Sequence, residues 1–581
     1  MKPSWNRNEW VGLILVLLVA AILRFWATSF GLPYIYHPDE GFEVYRALRL
    51  AMGGFDFERV AKGGYYFLLC LEFGIYFVLR FVTGGVAGVN DFALQFAADP
   101  SALWSIGRRT TALLGTFTVF LVWWQARRMG SSRAGLWGAL FLAVSFRHVV
   151  DSHYVTVDIP MTLFAFWSVI LVVEDVAGRS RLSWWKYALI AAFAVLNKLP
   201  AIVLFLPYFL GVFLRGGLRG PGGLLAKRSW GPPIAAGIVY LVANPGFVIN
   251  ILDMFALFGD TIGGAGAGEE YVGVEQKTNL WVYYASVLLR SQGPGLLALG
   301  LFGAIAALVR RSQGGILHLA FIVPFFALIA GATSAHLYYA RYVVPMLPGL
   351  CLLAGLALDD LVRRVRVFGD RGSFVVALGV ALLVSLEPAL NAIAWDRVQS
   401  QTDTRTLAVE WIEQNVPNKS RVLLEGFAED DAQLAIPLKN LKRNLKAMSQ
   451  DLEKTDPGKA KFLALKLEAV DSPLFDLRAI RHYEPWITLD EARADGVEWV
   501  VLRREYFVPG EKSAAKFDPG IVESRYEFRD ELERRPDVAE LVATFDADPE
   551  VRPGYDLEIW RIVPDGSGAE ASADGPEDAN E

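Results

Sequence analysis

The chain has 581 residues, of which 53% are hydrophobic and 20% are charged, and it contains 17 Trp, 20 Tyr and 37 Phe. This composition excludes disordered, collagen-like and disulfide-stapled proteins, and it favours a membrane protein. The formal charge of -6 is mostly local, because six acidic residues lie in 565–581, a segment without Lys or Arg. No nucleic-acid partner is expected, since the Arg clusters flank hydrophobic runs.

Long apolar runs fill residues 1–395 and predict a polytopic α-helical membrane domain, because a helix needs about 20 apolar residues to cross the hydrocarbon core. We expect about eleven spans. The candidates are 10–30, 105–126, 134–151, 159–176, 184–197, 200–214, 231–249, 293–309, 315–333, 342–359 and 373–395.

Basic residues predict how these spans are oriented. With the N-terminus in the cytoplasm, every predicted cytoplasmic loop is rich in Arg or Lys, as multi-pass proteins of the plasma (inner) membrane require. Residues 64–82 are apolar enough for a twelfth span, but a crossing there would place the basic loops outside. We therefore predict a membrane-surface or re-entrant helix within the first outer loop, 31–104.

The odd number of spans places the C-terminal part outside the membrane. Residues 396–564 have the composition of a soluble protein and predict an extracytoplasmic mixed α/β domain, with a helix at 404–415 and strands at 421–425, 499–502 and 557–563. The acidic segment 565–581 is predicted to be a disordered tail.

Acidic side chains gather on the predicted outer face. His37, Asp39 and Glu40 follow the first span, and His153 and Asp158 lie between the third and fourth. Carboxylates at a lipid boundary are costly unless they stay in water, bind a cation or act on a substrate. A wet loop is the alternative explanation for the first pair, and capping of the following helix is the alternative for Asp158.

Basic and aromatic side chains are predicted on the same face: Lys198, Arg341, His336, Tyr338 and Tyr339. A sugar phosphate leaving group needs cations, and a hydroxyl nucleophile needs a carboxylate that takes its proton. Arg341 could bind a phosphate as a planar fork and Lys198 as a point charge. Snorkelling towards the interface is the alternative explanation for both cations.

Six segments, taken in order, resemble the polytopic glycosyltransferases of the C superfamily (GT-C). The similarity is to family 39-like enzymes, which are related to protein O-mannosyltransferases and lipid A aminoarabinose transferases. The segments are 39–40, 153–164, 197–201, 244–247, 341–348 and 403–413.

The resemblance implies transfer of a sugar from a polyprenyl phosphate carrier, at the outer face, to a protein, lipid or glycan acceptor. Asp39 would be the catalytic base, with Glu40 as the alternative, and Asp158 would be the second acidic position. Lys198 and Arg341 would hold the carrier phosphate. One base and two cations suffice for a direct displacement that inverts the anomeric carbon.

Six further residues complete the predicted site. Lys62 is a candidate for binding the carrier phosphate, although its context, Lys-Gly-Gly-Tyr-Tyr at 62–66, departs from the Lys-Pro-Pro of aminoarabinose transferases. Contacts with the acceptor or support of the site are expected from His37, His153, Tyr338, Tyr339 and His336. No cofactor is certain, and a divalent metal held by the acids and His37 or His153 stays an open alternative, because their spacing is no metal signature.

Two other functions fit a polytopic chain with acidic residues. A secondary transporter would carry its acids near the bilayer midplane, on broken helices of related halves. A non-catalytic assembly protein of the cell envelope would function without Asp39. An assay of sugar transfer by wild type and an Asp39→Asn variant distinguishes the transferase from both alternatives, because only the transferase loses an activity when Asp39 is neutralised.

Overall fold

The computed structural model describes residues 7–52, 64–251, 279–331, 339–364, 369–428, 434–508 and 519–563. The helices before the C-terminal domain are α1 (Arg7–Phe25), α2 (Glu40–Ala51), α3 (Gly64–Val82), α4 (Val89–Ala98), α5 (Ser101–Met129), α6 (Ser132–Ala143), α7 (Phe146–Asp151), α8 (Asp158–Val176), α9 (Trp184–Asn197), α10 (Phe205–Gly216), α11 (Lys227–Ala243), α12 (Pro245–Ile249), α13 (Leu280–Val309), α14 (Gln313–Ala330), α15 (Leu347–Arg364) and α16 (Gly369–Gln399). Two 3-10 stretches, Leu199–Leu204 and Ala340–Met346, precede α10 and α15.

Eight helical stretches within the described ranges are long and apolar enough to cross a membrane. They are Arg7–Phe25, Gly64–Val82, Asp158–Val176, Leu199–Gly216, Leu280–Val309, Gln313–Ala330, Ala340–Arg364 and Arg371–Asn415. Seven coincide with predicted spans. The mostly helical, membrane-spanning architecture is therefore confirmed.

The other four predicted spans are helical too, but they are shorter, broken or more polar. Helix α5 carries Arg108 and Arg109, the 134–151 segment is divided between α6 and α7, α9 has 14 residues, and α11 has 17. Conversely α3, which we expected on the membrane surface, satisfies the criteria of length and hydropathy. The orientation of the chain stays a prediction.

Glycines allow a close helix contact between α6 and α15. A Cβ on Gly355 would lie 2.5 Å from the Gly138 nitrogen and 2.6 Å from the Ala134 carbonyl oxygen. Small residues let membrane helices approach until their backbones touch. This contact anchors α6, whose end leads into the loop that carries the candidate site.

A buried arginine shapes that end. Arg24 of α1 donates from Nη2 to the Leu142 carbonyl oxygen at 3.0 Å and from Nη1 to that of Ala143 at 2.9 Å. Its Nη2 also lies 2.9 Å from His148 Nδ1. The last carbonyls of a helix lack intrahelical partners and carry partial negative charge. Arg24 therefore satisfies the end of α6 where the chain turns into α7.

The C-terminal domain contains the helices α17 (Thr404–Asn415), α18 (Lys442–Leu452), α19 (Pro457–Ala469), α20 (Leu489–Ala494), α21 (Arg504–Phe507) and α22 (Pro519–Arg534), with strands β1 (Arg421–Glu425), β2 (Asp476–Ile480), β3 (Trp499–Arg503), β4 (Ala539–Phe545) and β5 (Leu557–Ile562). The predicted helix and the three predicted strands are present as α17, β1, β3 and β5. Helix α16 continues through the predicted boundary at 395.

The five strands form one mixed sheet in the order β2-β1-β3-β5-β4, with β1 parallel to β2 and β3 and the other pairs antiparallel. Val422 and Leu424 of β1 pack with Ile412 of α17, while Leu423 packs on the opposite face with Phe528 of α22. Because successive side chains alternate between faces, β1 is covered by helices on both sides.

Stacked arginines and aromatic rings join the loop between α1 and α2, hereafter the first loop (26–39), to the C-terminal domain. The Arg405 guanidinium carbon lies 3.6 Å from the ring centroid of Tyr36 and 4.6 Å from that of Tyr555. The Arg503 guanidinium carbon lies 3.5 Å from the ring centroid of the same Tyr555. The Tyr36 and Thr406 hydroxyls share a hydrogen bond of 2.6 Å. The first loop is thereby held against the start of the domain.

Candidate active site

Four charged residues from four separate segments meet at the helix ends. Asp39 is the last residue before α2, Asp158 is the first of α8, Lys198 follows α9, and Arg341 lies in the 3-10 stretch before α15. Arg341 Nη1 is 2.5 Å from Asp39 Oδ2, and its Nε is 3.6 Å from Asp158 Oδ2. Lys198 Nζ is 2.9 Å from Asp158 Oδ1. Two acids and two cations thus form one neutral cluster.

Asp158 contacts both cations instead of capping its helix. Val157 occupies the N-cap position, without a side-chain capping bond, and the Asp158 carboxylate reaches Lys198 and Arg341. Its side chain is only 2% exposed, and a carboxylate so deeply buried needs opposite charges around it. The positive end of the α8 dipole favours the same charge. Asp158 therefore holds the two cations in place.

The two cations are mostly buried and packed on tyrosine rings. Lys198 Nζ lies 4.1 Å from the ring centroid of Tyr342, and the Arg341 guanidinium carbon lies 4.2 Å from that of Tyr339. Aromatic faces attract cations, and the effect grows when water is excluded. Both side chains are directed to the acids rather than to the bilayer surface, which argues against simple snorkelling.

The adjacent acids Asp39 and Glu40 have opposite surroundings. The Asp39 side chain is 33% exposed and contacts Arg341. Glu40 is fully buried, and both of its oxygens accept hydrogen bonds of 2.8 Å from Arg108, also fully buried. The Val155 amide donates a further bond of 3.0 Å to Glu40. Asp39 can reach a substrate, whereas Glu40 is committed to a structural pair.

Two predicted histidines lie beside the cluster in different roles. The His37 ring lies 4.2 Å from the Tyr154 ring, centroid to centroid, and burial lowers the pKa of His37, so that it stays neutral. His153 is fully buried, with Nδ1 2.9 Å from the Val149 carbonyl oxygen and Nε2 3.2 Å from Asp396 of α16. His153 thus links its loop to α16 rather than facing a substrate.

Three predicted site residues, Lys62, His336 and Tyr338, lie outside the described residues. Among the residues that the structure does describe, no three His, Cys, Asp or Glu side chains are arranged to hold a metal ion. Of the acids and histidines proposed for a cation, Glu40 is paired with Arg108 and His153 with Asp396.

Sequence reasoning missed one ion pair close to the cluster. Arg147 and Asp151 of α7 form a two-point contact, with both distances at 2.5 Å. Both fall inside the predicted span 134–151, whose apolar pattern does not predict an ion pair. Two opposite charges four residues apart within such a run were the signal, because ionisable residues at membrane depth usually have a function.

Part of the chain is similar in sequence to known proteins. Residues 102–243 match the sequence model of the family described as dolichyl-phosphate-mannose-protein mannosyltransferase. A protein of Aquifex aeolicus (strain VF5), described as uncharacterized, is 27% identical over 189 residues, which are 32% of this chain and 34% of that protein. The chain thus spans about a third of the curated relative that it matches.

Solved structures cover much more of the chain. The apo oligosaccharyltransferase of Archaeoglobus fulgidus is 12% identical, with a TM-score of 0.51, and the match covers 90% of this chain and 72% of that one. ArnT from Cupriavidus metallidurans, bound to undecaprenyl phosphate, is 14% identical, with a TM-score of 0.46, and covers 95% of this chain and 98% of its own. The chain therefore has the polytopic fold of the Archaeoglobus fulgidus oligosaccharyltransferase, and its residues 102–243 match the sequence model of the mannosyltransferase family.

Proposed function

We propose that this protein transfers a sugar from a polyprenyl phosphate carrier to a protein, lipid or glycan acceptor at the non-cytoplasmic face of the plasma membrane. The observation that carries the proposal is the cluster of Asp39, Asp158, Lys198 and Arg341 at the helix ends of a glycosyltransferase fold. The match of 102–243 to a family named for a dolichyl phosphate sugar donor supports the carrier.

Asp39 is the proposed base. Its carboxylate is the exposed one of the adjacent pair, while both Glu40 oxygens are occupied by Arg108. In the reaction an acceptor oxygen forms a bond to the anomeric carbon and gives its proton to Asp39. The bond between that carbon and the carrier phosphate breaks, and its electron pair leaves on the phosphate oxygen.

Arg341 and Lys198 are the proposed partners of that phosphate. Each cation of the cluster is neutralised by an acid, so an arriving phosphate replaces part of these contacts. Asp158 stays buried between the cations and keeps them together against their mutual repulsion. The leaving group therefore meets two positioned positive charges, which stabilise the charge that develops on it.

The displacement should invert the anomeric carbon, since one base serves the acceptor and the cluster offers no second carboxylate free to form a covalent intermediate among the described residues. The assay uses purified protein, a set of polyprenyl phosphate sugars and protein, lipid and glycan acceptors. NMR of the product reports its anomeric configuration, and a retained configuration would contradict the direct displacement.

The decisive comparison is between wild type and Asp39→Asn, which removes the base and preserves the side-chain volume. We expect transfer to fall about 100-fold or more. Asp451→Asn, an exposed acid on α18, is the matched control. Undiminished transfer by Asp39→Asn would eliminate Asp39 as the base.

A further inference from the structure

A cavity of about 120 Å³ lies where the first loop meets the C-terminal domain. Phe30, Tyr36 and Tyr154 line it with aromatic rings, and Asp403 and Arg405 line it from the start of the domain. A cavity needs roughly 10–15 Å³ to hold one water, whose share of the liquid is about 30 Å³, so this cavity has room for several waters.

Backbone forms the far wall of the cavity. Gly554 has φ +124°, and a Cβ there would lie 2.0 Å from Thr404 Oγ1 and 2.7 Å from Asp403 Oδ1. The Thr404 amide donates to the Pro553 carbonyl at 3.0 Å, and its hydroxyl donates to the Tyr555 carbonyl at 2.8 Å. Only glycine permits this close approach, which fixes the position of the wall.

The charged groups of the cavity are already paired with each other. Arg405 donates from Nε and Nη2 to the two oxygens of Asp403, at 2.8 and 2.7 Å, and its guanidinium lies between the rings of Tyr36 and Tyr555. Carboxylate and guanidinium therefore neutralise one another. Arg405 is therefore not available to pair with an anionic ligand, and Asp403 is not available to pair with a cationic one.

The polar side chains of the cavity that lack a hydrogen-bond partner among the described residues are uncharged. His37 Nδ1 is buried and has no hydrogen-bond partner in the described part of the chain. Tyr154 and Gln399 also line the cavity, and neither side chain has a hydrogen-bond partner among the described residues. Burial lowers the pKa of His37 and raises the pKa of Tyr154 to about 12, so both stay uncharged near neutral pH.

We propose that this cavity binds a neutral sugar ring, and that the acceptor of the reaction is therefore a glycan hydroxyl rather than a phosphate or a polypeptide side chain. Aromatic rings pack on the C–H faces of a pyranose, and neutral donors and acceptors pair with its hydroxyls. His37 is two residues from Asp39, so a ring held here brings a hydroxyl towards the proposed base. The assignment as acceptor rests on the proposed transferase function.

The test measures binding without catalysis, by saturation-transfer NMR on the full detergent-purified chain. The neutral probes are the methyl glycosides of glucose, mannose and galactose, the anionic probe is glucose 6-phosphate, and the polypeptide probe is acetyl-Ala-Thr-Ala-amide. We expect saturable binding of at least one methyl glycoside. Tyr154→Phe and Gln399→Leu should each weaken it about 3- to 10-fold, as loss of one neutral hydrogen bond predicts.

Tyr526→Phe on α22 and Gln401→Leu, an exposed neighbour of the cavity segment, are matched controls that should leave binding unchanged. Glycoside binding that survives both cavity variants, or binding of only the phosphate or the peptide, would overturn the proposal. Transfer to a peptide or a lipid phosphate alone would refute the cavity assignment and keep the transferase. Glycoside binding that depends on Tyr154 and Gln399, without transfer from any polyprenyl phosphate sugar, would refute the transferase and leave a sugar-binding site.

Discussion

Asp39 and Glu40 are neighbours in the chain, yet their neutral variants should fail in different ways. Glu40→Gln leaves the fully buried Arg108 opposite an amide, where one of the two 2.8 Å contacts meets an N–H instead of an oxygen. Removing one partner of a buried ion pair costs about 3–5 kcal/mol. Asp39→Asn breaks a partly exposed contact, and Arg341 keeps Asp158, so this loss is at most about 1 kcal/mol.

Thermal unfolding of the detergent-purified variants, followed by intrinsic tryptophan fluorescence, separates the two cases. Asp39→Asn should unfold within about 2 °C of wild type while its transfer activity collapses. Glu40→Gln should unfold well below both, and the folded fraction should retain most of its activity. The assignment of roles would be refuted if the Glu40→Gln variant were as stable as wild type. It would also be refuted if the Asp39→Asn variant were less stable than the Glu40→Gln variant.

Three further outcomes follow from the geometry. Arg341→Lys should raise the donor KM about 10-fold with a smaller effect on kcat, because an ammonium cannot form the planar fork, and an unchanged KM in steady-state assays would speak against it. Burial lowers the pKa of His37, so the unfolded chain binds the proton first as the pH falls, and the stability of the folded protein decreases below about pH 6.5. His37→Gln should therefore reduce the change in melting temperature between about pH 7 and 5. Gly554→Ala should destabilise the junction by about 1–3 kcal/mol, since its Cβ would collide with Thr404 and its φ is unfavourable; Gly379→Ala, with no atom within 4 Å, is the control for the denaturation measurement.

Much of the grouping of the site residues was predictable from the sequence, because loop charges and motif order predict that their segments share one face. The structure brings Asp39, Asp158, Lys198 and Arg341 together as those patterns predicted. The separate role of Glu40 was not predictable, since its partner Arg108 lies 68 residues away and is determined by tertiary packing.

The fold shows the same division between local and long-range information. The positions of α17, β1 and β5 follow from local hydrophobic patterns, and the structure has them there. The strand order and the stacking of Arg405 on Tyr36 join residues far apart in the chain, so no local pattern encodes them. The break between α6 and α7 was not predictable, because the apolar average of the 134–151 segment does not reveal it.

The ion pairs of the cluster also constrain how the chain threads the bilayer. Paired residues share a compartment, so the polypeptide between them must cross an even number of times. Between Asp39 and Asp158, which both contact Arg341, the described residues contain three long segments: α3, α5 and the α6–α7 pair. They cannot all cross, and α5, packed against α1, α6 and α8, is the least able to lie flat. Likewise, a crossing by α8 requires that α9, with its 14 residues, return the chain to the side of Asp158. Accessibility labels at positions 39, 158, 198 and 341 should accordingly all report one side.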